Sequence, residues 1–339
     1  MSQIAHDLYV PMVEANHGQK GAAALRDLLE FLQSLYKYVA PETRSTPIVV
    51  FKHIDNATVL AGATEYNSAQ NLPPLSVEPI AIQLRQNGRL LFSQLAKVDP
   101  VTLAQECVVY TFLNRVERFY AKQEVRVITN PGLGYPSIFA VPTFDSLNTA
   151  LHEYKLKQAR KSSCKILATS WKDSGRIFFK KAPESIMRDS LTQFLKNCLR
   201  GDVEVRPEQI VDETHPADIK VTWFMSNRLA FIEIKWLGAA KTSATTLARH
   251  SAGRARQGAK QLANYLAANA VQAPTHQTRG YLVVLDGRRA KVKPSARKIS
   301  QQNGFKFEHN EITYSPDYQK IRSDFEVPTR MFMEPICQP

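Results

Sequence analysis

The stretch HPADIKVTWFMSNRLAFIEIKW, residues 215–236, decides how the second half of the chain folds. Two runs rich in β-branched and aromatic residues flank the pair Ser226-Asn227. This pattern of two apolar runs around turn-forming residues predicts a β-hairpin. Because side chains alternate along a strand, Glu233 and Lys235 share one face of the second strand.

The hairpin turn sets which residues of the two strands meet. A two-residue turn at Ser226-Asn227 places Lys220 opposite Glu233 and Asp218 opposite Lys235, one diagonal step from Glu233. Two carboxylates and an ammonium group then converge at one end of the hairpin. A register shifted by a single residue would send Asp218 to the other face.

These residue types suit hydrolysis of a phosphodiester. Mg²⁺ is held in proteins by one or two carboxylates together with water and phosphate oxygens, and a neighbouring ammonium can orient the attacking water. The same residues also fit a surface hairpin whose Glu–Lys ion pair contributes less than about 1 kcal/mol. The apolar run Leu229–Ile232 leads directly into Glu233. A carboxylate at the end of a buried strand is costly unless it has a partner, which favours the catalytic interpretation.

The distribution of charge supports a phosphate-bearing partner. The chain has a net charge of +13. Residues 201–234 hold three basic and seven acidic residues, whereas residues 235–300 hold thirteen basic and one acidic. Basic segments attract a phosphate backbone, and a local group of carboxylates attracts a divalent cation. A solvated basic face without a partner is the alternative.

Several classes of protein are disfavoured by what the sequence lacks. It has no apolar run long enough to cross a bilayer and no signal-peptide pattern at its start. Its four cysteines form no CxxC pair, and no GK[ST] or HExxH motif is present. We therefore expect a cytoplasmic protein outside the membrane, without a zinc cage, a disulfide framework or an ATP-binding loop.

Periodicity predicts an N-terminal module of α/β or α+β type and unknown role over residues 1–170, followed by a catalytic domain over residues 171–339. Its expected helices are 19–39, 102–122 and 146–161, and its expected strands are 46–54 and 165–169, with a further strand at 176–179 just past the boundary. The catalytic domain is expected to be an α/β structure with a mixed sheet flanked by helices. Its predicted helices are 184–199 and 253–270, its predicted strands are 203–211, 218–225, 229–236 and 280–286, and residues 238–252 are predicted to form a mobile loop.

The motifs of residues 184–286 resemble those of the PD-(D/E)xK, or restriction-endonuclease-like, nuclease superfamily. Pro216-Ala217-Asp218 stands for the Pro-Asp element with one inserted residue, and Glu233-Ile234-Lys235 stands for the (D/E)xK element. Gln261 and Tyr265 fit the Gln-x-x-x-Tyr pattern of the following helix. The order of these elements along the chain is the specific part of the resemblance, which does not extend to the N-terminal residues.

The resemblance implies a role for each matching residue. Asp218 and Glu233 would bind Mg²⁺ or Mn²⁺, together with Glu184 or, as an alternative, Glu208. Lys235 would activate the water. The family's helix glutamine and tyrosine support the site or contact nucleic acid, although here they also fit simple helix packing. The residues expected to bind nucleic acid are Gln257, Gln261, Tyr265, Arg254, Arg256 and Lys260. The basic residues among them also fit a simpler role as surface charges that keep the protein in solution.

We therefore predict a Mg²⁺-dependent endonuclease that cleaves DNA in preference to RNA, in a restriction or anti-phage defence setting. A non-catalytic nucleic-acid-binding subunit and a scaffold protein that docks through its N-terminal module are the alternatives. A nuclease this basic would endanger its host, so we expect gating by the N-terminal half or by a protein partner. The sequence leaves the oligomeric state and the target open.

Overall fold

The computed structural model describes residues 2–41, 44–73, 78–94, 98–128, 137–199, 201–210 and 216–337. The side chains of residues 2–8, 87, 208–210 and 216 lie outside this description. Glu208, the alternative metal ligand, is therefore not placed. No helix in these ranges is both long enough and apolar enough to cross a membrane.

The chain forms two compact units, residues 1–145 and 146–339. The predicted boundary after residue 170 falls inside the second unit, because the segment before it packs there. The Tyr154 ring meets Phe194 at 5.2 Å between centroids, and the Tyr154 hydroxyl lies 2.8 Å from Ser190 Oγ. Arg160 forms an ion pair with Glu308 at 2.8 Å. The segment that precedes the predicted boundary therefore packs within the second unit.

The first unit contains a mixed seven-stranded sheet in the order β2-β4-β3-β1-β5-β6-β7, in which β1 and β3 are parallel. A long helix packs on β1, β5 and β6, and its backbone is non-helical at Gly18, where φ is 64°. The strands of the first unit are β1 Ile48–His53, β2 Thr64–Tyr66, β3 Ile80–Leu84, β4 Leu90–Gln94, β5 Cys107–Leu113, β6 Val116–Ala121 and β7 Glu124–Ile128. The helices of this unit are the long α1 Ser2–Tyr38 and the short α2 Pro100–Leu103, and α3 Phe144–Tyr154 begins at the end of the unit.

The predicted helix over residues 102–122 is wrong, because most of this segment forms the hairpin of β5 and β6. The apolar residues of the segment satisfy both a helical and an extended pattern. Asn114 and Arg115 decide between them, since both have positive φ, 49° and 64°. Two consecutive residues with positive φ form the type I′ turn that favours a hairpin.

The second unit contains a mixed six-stranded sheet in the order β13-β12-β10-β9-β8, with β11 paired to β10. The central strand β10 is antiparallel to β9 and parallel to β12. Helix α6 packs on β10 and β12, and α5 packs mainly on β8. The strands are β8 Val203–Ile210, β9 Pro216–Trp223, β10 Arg228–Lys241, β11 Leu247–His250, β12 Gln277–Asp286 and β13 Thr329–Phe332. The helices are α4 Lys165–Ala168, α5 Glu184–Cys198, α6 Ala252–Gln272, α7 Gln301–Gly304 and α8 Tyr318–Ile321.

The expected α/β class with helix-flanked mixed sheets is confirmed, but three local predictions are wrong. Residues 238–252 are mostly ordered as the end of β10 and as β11, because Gly238 at φ 136° lets the strand continue past a close approach to Gly287. Residues 165–168 form a helical turn instead of a strand. Residues 176–179 form no strand, and Phe179 makes isolated bridges to Trp171 and Ala240.

Candidate active site

The hairpin of β9 and β10 carries the predicted site, with a register that differs from the expected one. Arg228 pairs with Trp223, and the pairing runs to Ile232 opposite Ile219. Residues 224–226 form a 3₁₀ turn and Asn227 is left-handed at φ 48°, so the turn is longer than the two residues predicted. The predicted partners of Lys220 and Asp218 are therefore wrong.

A shift of two residues keeps each side chain on its face, because the side-chain period of a strand is two. Lys220 now lies opposite Phe231, with its ammonium 5.9 Å from the ring centre. Continuing the register by one residue brings Asp218 beside Glu233. The observed register therefore brings the two carboxylates closer together than the predicted one.

The Asp218 side chain is hydrogen-bonded to the neighbouring strand β10. Its Oδ2 accepts a hydrogen bond of 2.8 Å from the backbone N–H of Ile234. Its Oδ1 lies 3.8 Å from Nη1 of Arg188, and its side chain is 13% exposed. One carboxylate oxygen is thus fixed by the backbone, while the other is near a cation and close to solvent.

Glu233 is the most deeply buried acid of the site, with 1% of its surface exposed. Its Oε1 accepts a hydrogen bond from Nζ of Lys235. Its Oε2 is buried and has no hydrogen-bond partner among the residues that the structure describes. A buried polar atom without a partner costs about 1–3 kcal/mol, and more if it is charged, so a donor or a cation at this oxygen would stabilise the site.

Glu184 joins the group from the first residue of α5. Its Oε1 lies 3.3 Å from Nζ of Lys235, and its Oε2 accepts a hydrogen bond of 2.7 Å from Arg254. Lys235 therefore bridges two carboxylates and is itself 7% exposed. Strand β10 supplies Glu233 and Lys235 to this cluster, while helix α5 supplies Glu184 and helix α6 supplies Arg254.

Burial shifts the pKa values of both hairpin acids upward. Burial raises the pKa of Glu233 to about 8, and the charges of Asp218 and Glu184 add to this rise while Lys235 opposes it. Burial likewise raises the pKa of Asp218 to about 6. For Lys235 burial acts in the opposite direction, yet the nearby charge of Glu233, joined by the other two acids, raises its pKa. Carboxylates that are hard to ionise are those that gain most from a nearby cation.

Helix α6 packs closely against the site at Gly258. A Cβ atom at Gly258 would lie 2.5 Å from Cγ of Lys235 and 3.1 Å from Cδ1 of Leu282. Gly258 therefore lets the helix approach the stem of Lys235 closely enough to fix the direction of its ammonium group.

The residues predicted to contact nucleic acid lie in different environments on α6. Gln257, Arg256 and Lys260 are exposed, and Nε of Arg256 donates a 2.9 Å hydrogen bond to the Thr313 carbonyl. Tyr265 is 1% exposed and packs in the core under α6, where Gln261 donates a hydrogen bond to its hydroxyl. A side chain this buried serves packing and does not present itself to a ligand at the surface.

Two residues of the site were missed by the sequence reasoning. Arg188 follows Glu184 by four residues on α5, so the helical repeat places both on one face and could have identified it. Gly258 stands in the interior of a helix, where glycine costs about 1 kcal/mol relative to alanine, and this cost is a signal of close packing.

The donors fit a hard divalent cation. Among the described residues no group of three or more His, Cys, Asp and Glu side chains is placed to hold a metal ion. Mg²⁺ needs only one or two carboxylates when waters and phosphate oxygens complete its shell. Oε2 of Glu233, which has no hydrogen-bond partner among the described residues, and Oδ1 of Asp218 could serve as these two carboxylate ligands.

The cluster is known from its geometry alone. No protein-family model, curated protein or solved structure matches this chain.

Proposed function

We propose that this chain is a Mg²⁺-dependent nuclease of the PD-(D/E)xK type that hydrolyses phosphodiester bonds of DNA. The observation that carries the proposal is the buried Oε2 of Glu233, for which the described part of the chain provides no hydrogen-bond partner although Asp218, Glu184 and Lys235 lie in the same cluster. A strand that buries such a carboxylate is destabilised unless the carboxylate binds something.

The mechanism assigns one task to each side chain. Asp218 and Glu233 would hold the cation, which when bound neutralises charge on the phosphate and promotes ionisation of water. Lys235 would orient the attacking water and offset the negative charge that develops on the phosphate. Glu184 keeps Lys235 in place through its 3.3 Å contact. The backbone N–H of Ile234 holds Asp218.

The basic surface supports nucleic acid as the substrate. Arg256, Gln257 and Lys260 are exposed on the helix that covers the site. The segment 235–300 holds thirteen basic residues and one acidic residue. Lysine and arginine that neutralise phosphates give affinity independent of sequence.

A cleavage panel tests the proposal. Full-length protein is incubated with supercoiled plasmid, single-stranded DNA and RNA, each with Mg²⁺ or with EDTA. We expect products with Mg²⁺ only, and a loss of at least about 100-fold in rate for Glu233→Gln. The matched control is Glu204→Gln, because Glu204 lies in the same sheet and pairs with Arg206 away from the cluster. Binding without products on every substrate would favour a non-catalytic binding subunit.

A further inference from the structure

A second feature of the unit of residues 146–339 is a cavity of about 230 Å³. Arg249, His250, Ser251, Arg288 and Arg289 line it, together with small and apolar residues that include Phe307. None of its lining residues is acidic. A concave site with three guanidinium groups has the chemistry of an anion site.

Two of the arginines keep donors for a ligand. Arg249 donates from Nη2 to the Val292 carbonyl at 2.6 Å. Arg288 uses Nε and Nη2 on Asp286, at 2.9 and 2.7 Å, and its guanidinium lies 4.8 Å from the Phe307 ring centre. A guanidinium has five N–H donors, so both side chains retain several. The existing bonds fix the planes in which these donors point.

Arg289 has a different part in the cavity. It is 8% exposed, and its guanidinium donates to the backbone carbonyls of Arg176, Arg288 and Met333. Carbonyls satisfy its donors but do not neutralise its charge. Asp286, the acid bonded to Arg288, is shared between Arg288 and Arg330, the latter at 2.7 Å. The wall therefore keeps a net positive charge.

The cavity and the candidate active site share strand β10. Gly238 and Ala239 at its wall follow Lys235 on β10, which places them roughly 10–13 Å farther along the strand. Ser251 precedes α6, whose first turn carries Arg254 on Glu184. The first N–H groups of this 21-residue helix also favour an anion at the same end.

We propose that this cavity binds a terminal phosphate group, and that its source is the phosphorylated end of a nucleic-acid strand. A phosphate monoester carries up to two negative charges and several acceptor oxygens, which match the two available guanidinium groups better than a singly charged phosphodiester does. An end held here lies within a few nucleotides of Asp218 and Glu233. The choice of a strand end rests on the proposed nuclease function, whereas the phosphate site itself does not.

Binding in EDTA tests the site without cleavage. Full-length protein is titrated with fluorescent duplexes that differ only in a 5′-phosphate, a 3′-phosphate or hydroxyl ends. We expect the duplex with one kind of phosphorylated end to bind about tenfold more tightly than the duplex with hydroxyl ends. A single charge-assisted hydrogen bond is enough to give this gain in affinity. Arg249→Gln, which keeps an N–H donor for the Val292 carbonyl, should abolish the difference. Arg297→Gln, an exposed arginine outside the cavity lining, should preserve it.

A nucleoside monophosphate and inorganic phosphate form the second arm. In one outcome, the monophosphate raises the thermal midpoint of the wild type but not of Arg249→Gln, while all duplex ends bind equally. That result would support a phosphate site in the cavity and identify a free nucleotide as its ligand. Equal binding of all ends without any thermal shift would overturn the proposal. If Arg249→Gln fails to fold, the wild-type comparison of ends still decides. Because no divalent ion is present, failure here is separate from failure of the cleavage panel.

Discussion

At the scale of single residues, the site depends on a buried charge balance. Lys235 contacts both Glu233 and Glu184, and Glu233, whose side chain is 1% exposed, lacks the solvent that would otherwise stabilise its charge. Removing one partner of a buried ion pair typically costs 3–5 kcal/mol because it leaves an uncompensated charge. The stability of the hairpin and its chemistry are therefore linked through the same three groups.

This linkage predicts a rescue. Lys235→Met should lower the free energy of unfolding by at least about 1 kcal/mol at pH 9, above the Glu233 pKa of about 8, because Glu233 loses the only hydrogen-bond donor that the described residues give it. The double variant Glu233→Gln/Lys235→Met should be more stable than Lys235→Met, since it removes the buried charge as well. Urea unfolding of the four proteins of the cycle measures the difference. Additive losses from the two substitutions would contradict the coupling.

The raised pKa values predict that cation binding depends on pH. Metal binding requires ionised carboxylates, whose pKa values without metal are about 6 for Asp218 and about 8 for Glu233. Mg²⁺ affinity should therefore rise from pH 6 to above pH 8, with release of protons. Titration calorimetry in buffers of different ionisation enthalpy counts these protons. A constant affinity without proton release would show that the cation does not bind these acids.

At the scale of elements, helix α6 fixes the direction of Lys235 through Gly258. Gly258→Ala should reduce cleavage by about 10- to 100-fold, because a methyl group 2.5 Å from Cγ of Lys235 must displace its stem. Gly253→Ala on the same helix is the matched control, since its Cβ would meet nothing closer than Ser251 Oγ at 3.7 Å. That control should keep its activity and gain up to about 1 kcal/mol in stability. Equal cleavage by the two variants would argue against positioning by Gly258.

The hairpin of β5 and β6 in the first unit carries a buried acid that predicts a second pH effect. Glu117 is 1% exposed and accepts hydrogen bonds from Ser137 at 2.6 Å, from Tyr110 and from the Ile138 backbone. Burial raises its pKa in spite of these bonds. A raised folded-state pKa means that the contribution of Glu117 to stability is complete below its unfolded pKa of about 4.3 and is lost as pH rises through the folded value.

The comparison with Glu117→Gln isolates this effect. The stability of the wild type minus that of Glu117→Gln should fall as pH increases above about 4.3. Thermal midpoints of both proteins across this range give the difference. A difference that stays constant or grows with pH would mean that burial does not control this carboxyl.

An element could be predicted from the sequence where the contacts that determine it join residues close together along the chain. Helix α5 and strand β12 have one clear apolar pattern each, and the sequence prediction for both is confirmed. The face shared by Asp218 and Glu233 also follows from local alternation. The register and the environment of Lys235 do not, because they depend on the left-handed Asn227 and on the approach of a distant helix.

At the scale of the whole molecule, the two units have separate cores. A cluster of buried side chains between α1 and the first sheet stabilises one unit, and a cluster between α6 and the second sheet stabilises the other. All groups of the candidate site belong to the second unit. Gating by the first unit or by a partner stays a prediction.

Gating predicts a difference between the full chain and its catalytic half. A fragment of residues 142–339 keeps α3 Phe144–Tyr154 whole and includes the second unit. Without a partner, this fragment should cleave DNA several-fold faster than the full chain at equal concentration. Initial rates on supercoiled plasmid measure the ratio, and circular dichroism confirms that the fragment is folded. Equal rates would remove the regulatory role from the first unit.

The most direct measurement of the central claim is anomalous scattering from crystals soaked in Mn²⁺. We predict one anomalous peak bounded by Oε2 of Glu233 and Oδ1 of Asp218, and its absence in crystals of Glu233→Gln. A cation bound only elsewhere, with Lys235 still on Glu233 and Oε2 still without a partner, would contradict the assignment of this hairpin as a nuclease centre.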